Sequence, residues 1–132
     1  MTTPTTHQTR ASRVAIIDDE PGISDVIRRG LQRQYDVDVF QSAQEVFSSL
    51  EMGVHYDAIL CDLYMPEYSG RQIYDEIKTR WPDQADRVIF MSGATMGSNH
   101  HGLLEDLERP MLRKPFRLRD LRQTVQEMVD QS

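Results

Sequence analysis

Three short apolar runs punctuate the chain: Val14-Ala-Ile-Ile17, Ala58-Ile-Leu-Cys61 and Val88-Ile-Phe-Met91. Runs of this length and β-branched content predict strands buried on both faces of a parallel sheet. Asp36-Val-Asp-Val-Phe40 alternates polar with apolar instead, as a half-buried edge strand does. A shorter fifth strand is expected at Met111 to Arg113. Between these segments the period becomes helical. Ile23, Val26, Ile27 and Leu31 share a face after Pro21, a residue suited to a first helical turn, and Gly30 weakens that helix near its end. Ala43, Val46, Phe47 and Leu50 form a second stripe, with Ser42 as its candidate N-cap. Ile73, Ile77 and Trp81 mark a third helix, which Pro82 is expected to stop. Leu118, Leu121, Val125 and Met128 mark the last. The stretch from Gly93 to Arg109 is rich in glycine and poor in apolar residues, so a helix there is expected to be short or mobile. The pattern predicts one α/β domain of five strands alternating with helices, with right-handed crossovers placing helices on both faces.

Composition narrows the classes. The chain has 132 residues, one domain's worth, and is 39% hydrophobic and 27% charged. Residues 1–12 are threonine-rich and read as a disordered lead, with the domain spanning 13–132. That lead has no apolar stretch of the secretory kind, and no run approaches a membrane span, so a cytoplasmic location and no membrane partner are expected. The lone Cys61 reads as a small buried side chain. The net charge of −6 argues against direct nucleic-acid binding, which needs a basic face. The basic residues Arg113, Lys114, Arg117, Arg119 and Arg122 are interleaved with Asp120 and read as a solvated face.

The placement of polar residues carries the chemistry. Asp18, Asp19 and Glu20 follow the first strand, Asp62 the third, Ser92 the fourth and Lys114 the fifth. Sites in open parallel sheets form at the carboxyl ends of strands, so these groups are expected to converge. Clustered carboxylates repel, and a hard divalent cation such as Mg²⁺ removes that cost. Lys114 and Ser92 could then hold further oxygens of a phosphoryl group, and an aspartate carboxylate can accept one.

Four motifs agree in order and rough spacing with one family. Ile16-Ile-Asp-Asp-Glu-Pro21, Asp62-Leu-Tyr-Met-Pro66 with Gly70, Met91-Ser-Gly93 and Lys114-Pro-Phe116 resemble the response-regulator receiver domain of two-component signalling. The resemblance covers about residues 13–130. It implies a flavodoxin-like (βα)5 fold, with a parallel sheet of order 2-1-3-4-5. It implies a phosphorylation-dependent switch, not an enzyme, in which a sensor histidine kinase or histidine phosphotransfer protein donates to Asp62. By the same resemblance Asp19 binds Mg²⁺ directly, Asp18 acts through a metal-bound water, and the Tyr64 backbone carbonyl is a further ligand. Ser92 takes the switch-hydroxyl place, Lys114 pairs with the phosphate, and the Lys114–Pro115 bond is expected to be cis. The stretch Leu103 to Phe116 looks like receivers attached to hybrid sensor kinases.

Three departures stand out. Met111 occupies the position where many members carry the aromatic switch. Gly93 follows the switch serine where alanine is frequent. Tyr64 is bulky beside the phosphoryl position, which predicts hindrance of attacking water. Two enzyme-like or cofactor-binding alternatives fit less well. A haloacid-dehalogenase-type phosphatase wants aspartate where Tyr64 stands, and a flavin domain wants a Ser/Thr/Gly-rich loop where Asp18-Asp19-Glu20 stands. A scaffold that is never phosphorylated conflicts with the intact set of residue types. His100 and His101 are adjacent, would point apart on a helix and lack further ligands nearby, so a metal site there is not expected, and Trp81, Tyr74 and Tyr68 read as packing or surface residues. Glu105, Asp106 and Glu108 near Arg113, Arg117 and Arg119 suggest a mixed-charge partner or dimer face, and dimerisation is left open. With no output domain in the 132 residues given, the expectation is either a stand-alone regulator or a piece of a longer chain, the first being preferred.

Overall fold

The computed structural model describes residues 12–93 and 107–131. The predicted lead up to Ala11, His100, His101, Glu105 and Asp106 lie outside the described residues. The elements run β1 (Ser12–Ile17), α1 (Pro21–Leu31), β2 (Tyr35–Phe40), α2 (Ala43–Glu51), β3 (Ala58–Asp62), α3 (Gly70–Arg80), α4 (Pro82–Ala85), β4 (Val88–Gly93), β5 (Met111–Lys114) and α5 (Leu118–Asp130). The five strands form one parallel sheet of order β2-β1-β3-β4-β5, the flavodoxin-like order expected.

Strand alternation divides the core into two layers. Val14, Ile16, Ala58, Leu60, Ile89 and Met91 face α1 and α5, meeting Ile27, Leu31, Leu121, Val125 and Met128. Ala15, Ile17, Ile59, Cys61, Val88 and Phe90 face α2 and α3, meeting Val46, Phe47, Leu50, Ile73, Tyr74 and Ile77. Each apolar run therefore serves both layers, which is why β1, β3 and β4 read as continuous rather than alternating. β2 stands at the edge, and its last four residues are only partly buried.

The helix ends follow local chemistry. Ser42 caps α2 by accepting from the Glu45 N–H, as its place before the stripe predicts. Ser69 and Gln72 form a capping box at α3, a pairing that the Ser-x-x-Gln spacing permits. Pro82 does not simply stop the third helix: α3 ends at Arg80, and Pro82 opens the single turn α4 from its first position, where its missing N–H costs nothing. Gln84 on that turn clasps the Tyr56 backbone at both its N–H and its carbonyl, at 2.8 and 2.9 Å, and so anchors the entry to β3.

Candidate functional site

The crossovers of a parallel sheet bring the carboxyl ends of β1, β3, β4 and β5 to one edge. Asp18, fully buried, directly follows β1, and its N–H donates to the Phe40 carbonyl at the end of β2. Its two carboxylate oxygens are divided: Oδ1 accepts the Glu20 N–H at 3.0 Å and Oδ2 accepts Lys114 Nζ at 2.8 Å. Ser24 reaches back from α1 to the Asp18 and Glu20 carbonyls, tying the β1–α1 turn to the helix. Asp62 ends β3 and is 6% exposed. Its Oδ1 accepts the Tyr64 N–H at 3.2 Å, and its Oδ2 lies 3.4 Å from Lys114 Nζ.

Lys114, at the end of β5, is thus bonded to both aspartates and lies 3.8 Å from Glu20 Oε1. One ammonium faces three carboxylates, so the site carries net negative charge. Burial raises the proton affinity of the Asp62 carboxyl. Lys114 works against that, Asp18 adds to it, and the balance pushes the group up to about 6. Burial pulls Lys114 down, but its bonds and charge contacts with Asp18 and Asp62 outweigh this and hold it above its ordinary value. Burial, then the charges of Asp62 and Asp18, push the Cys61 thiol well above its usual range, which keeps it a neutral packing group.

Carboxylate oxygens of Asp18, Glu20 and Asp62 all lie within 4.8 Å of one another. Three oxygen donors in this compass suit a small hard cation, which would offset the charge that Lys114 leaves uncompensated. Asp19, partly buried, is not among these three, whereas the exposed Glu20 is. Ser92 is 1% exposed at the end of β4, and its hydroxyl makes a long 3.4 Å bond to the Gly93 carbonyl. The Lys114–Pro115 bond is cis. Met111 lies opposite Phe90 and packs on the layer beneath α2 and α3. Tyr64 packs on that same layer, and its hydroxyl is closed off from solvent with no hydrogen-bond partner. Beside the cleft, Ile23, Val26, Ile27, Pro115 and Phe116 line an apolar hollow that reaches Lys114, and Val26 is 56% exposed. No described helix is long and apolar enough to cross a membrane.

Comparison with known proteins agrees with this geometry. The sensor kinase CckA of Brucella abortus (strain 2308) is 31% identical over 122 residues, covering 91% of this chain and 13% of that protein. The hydrogenase transcriptional regulatory protein HoxA of Cupriavidus necator is 32% identical over 127 residues, covering 92% of this chain and 25% of that protein. The chain thus spans a quarter or less of these two curated relatives. One is a kinase and one a transcriptional regulator, at nearly equal identity, so the narrower likeness to kinase-attached receivers is not singled out. A response regulator receiver domain from Clostridium thermocellum superposes with a TM-score of 0.77 at 27% identity, covering 91% of this chain and 95% of that one. The family model described as the response regulator receiver domain matches residues 14–126. The chain therefore belongs to the response-regulator receiver family, whose members switch on phosphorylation of an aspartate in two-component signalling.

Proposed function

We propose that Asp62 is the phosphoacceptor and that this chain takes a phosphoryl group from a phosphohistidine. The observation that carries this is the Lys114 ammonium set between Asp18 and Asp62 in a cleft with excess negative charge. One carboxylate oxygen of Asp62 attacks phosphorus, the phosphorus–nitrogen bond of the donor breaks, and the imidazole leaves with the electron pair. The product is an acyl phosphate on Asp62. Lys114, already 3.4 Å from Asp62 Oδ2, pairs with a phosphoryl oxygen, and the buried Ser92 hydroxyl exchanges its long bond to Gly93 for another. Asp18, Glu20, Asp62 and the Tyr64 carbonyl would hold Mg²⁺, with Asp19 as a further ligand. When bound, Mg²⁺ supplies charge neutralisation for the transferring group. The chain accepts and loses its own phosphoryl group and does not turn over external substrates.

The donor is a histidine kinase or a histidine phosphotransfer protein. The apolar hollow of Val26, Ile23 and Phe116 adjoins Lys114 and is the surface on which such a partner brings its imidazole to the cleft. Transfer shifts the affinity of the opposite faces for a downstream protein.

Incubation with acetyl phosphate and Mg²⁺, followed by intact-mass analysis, tests the acceptor. One added phosphoryl group is expected, lost in Asp62→Asn and retained in Asp57→Asn, whose carboxylate lies before β3 and accepts the Arg13 N–H at 3.0 Å. Undiminished labelling of Asp62→Asn refutes the assignment.

A further inference from the structure

Gly70 stands eight positions after Asp62 and is buried as the first residue of α3. Among the described glycines, Gly53 alone has a positive φ, so position 70 needs glycine for space and not for backbone freedom. A Cβ placed on Gly70 would lie 2.5 Å from the Asp62 carbonyl oxygen, 2.8 Å from Leu63 Cα and 3.2 Å from the Asp62 carbonyl carbon. All three are backbone atoms, so no rotamer change relieves the overlap. The Gly70 N–H also donates to the Leu63 carbonyl at 2.7 Å, closing the loop from 63 to 69 on itself. The Ser69–Gln72 capping box holds the start of α3 in place.

We infer that Gly70 is a positioning residue for phosphoryl acceptance: its bare Cα, held by the start of α3, sets the Asp62 backbone and thereby aims the Asp62 carboxylate and the following turn. This rests on the reading of Asp62 as acceptor. The carboxylate accepts the Tyr64 N–H at Oδ1 at 3.2 Å and lies 3.4 Å from Lys114 Nζ at Oδ2, while the backbone beside it is held by the Leu63 N–H to Met91 carbonyl bond at 2.9 Å, so a shift of the Asp62 peptide changes both carboxylate contacts. An alanine at position 70 must push the Asp62 peptide away, and a misplacement on the order of 1 Å at a reacting group costs up to about 100-fold in rate.

Gly30 supplies the control. A Cβ there would lie 2.9 Å from Leu118 Cδ2, a flexible side-chain tip in the contact between α1 and α5. Gly30→Ala therefore disturbs packing without touching the cleft. The experiment compares wild type, Gly70→Ala, Gly30→Ala and Asp62→Asn. It measures acetyl-phosphate labelling by mass, Mg²⁺ binding by amide chemical shifts, and stability by denaturant unfolding. Gly70→Ala is expected to label about 10- to 100-fold more slowly and to bind Mg²⁺ several-fold more weakly, with shift changes centred on Leu63 and Tyr64. Gly30→Ala is expected to keep both within about twofold at whatever stability it retains. Wild-type labelling and Mg²⁺ affinity in Gly70→Ala overturn the proposal, as do losses in the two variants that merely track their stabilities. Should Gly70→Ala not fold, Ser69→Ala decides, since it loosens the start of α3 and adds no atom at Asp62. A drop of about two- to fivefold in its labelling is expected, and no change overturns the proposal. If Asp62→Asn labels normally, the acceptor assignment itself has failed; if only Gly70→Ala is normal, the positioning role alone has.

Discussion

Replacing Asp62 with asparagine should make the metal-free protein more stable at neutral pH. Asp62 is 6% exposed and shares one ammonium with Asp18 and Glu20. Its carboxyl is pushed from an ordinary 3.8 up to about 6, burial being the largest cause. A carboxyl raised on folding contributes stability below its unfolded value, and that contribution disappears as pH climbs through the folded value. Above about pH 6 the folded chain therefore carries an ionised group it disfavours, at a cost of up to roughly 3 kcal/mol. Water in the cleft and the lost charge contact with Lys114 reduce the gain from substitution, and asparagine still accepts the Tyr64 N–H through its Oδ1. A net stabilisation of about 1–2 kcal/mol is expected at pH 8. The assay is denaturant unfolding of wild type and Asp62→Asn in chelator, from pH 4 to pH 8.5. The difference should be near zero at about pH 4, grow to about pH 6 and level off above. Mg²⁺ should then stabilise wild type more than the variant, narrowing the gap. Equal or lower stability of Asp62→Asn at pH 8, or a gain that does not change with pH, refutes the reasoning.

Other substitutions separate the roles in the cleft. Lys114→Met removes the ammonium from the fully buried Asp18 and should cost about 3 kcal/mol in chelator, partly restored by Mg²⁺, in the same unfolding assay. Tyr64→Phe deletes a buried hydroxyl without a partner and should stabilise the chain by about 1 kcal/mol. Tyr64→Asn should lose its phosphoryl group faster than wild type in a chase of labelled protein, and a slower loss contradicts shielding of the acyl phosphate. Val26→Asp, at an exposed position, should slow transfer from a phosphohistidine partner at least tenfold while leaving acetyl-phosphate labelling intact. Equal effects on both donors would remove the hollow as the docking surface.

Local patterning was enough for the elements and the α/β class, while the strand order came from the motif resemblance. Continuous apolar runs announced β1, β3 and β4, alternation announced β2 as an edge, and helical stripes announced α1, α2, α3 and α5. Strand ends then marked where Asp18, Asp62, Ser92 and Lys114 would meet, because the edge of a parallel sheet collects them whatever the side-chain details. Tertiary structure alone decided which members of that set touch. That Glu20 and not Asp19 joins Asp18 and Asp62 depends on how the chain leaves β1 and enters α1. That burial, with Asp18 adding to it, raises Asp62 to about 6 against the pull of Lys114 depends on packing and on distances between residues far apart in sequence. Glycine at position 70 is a motif letter in the chain; only the approach of α3 to the end of β3, within 2.5 Å of where a Cβ would sit, shows what a side chain there would displace. Periodicity is a property of neighbours along the chain and is read there, whereas electrostatics and steric exclusion belong to neighbours in space, which packing alone creates.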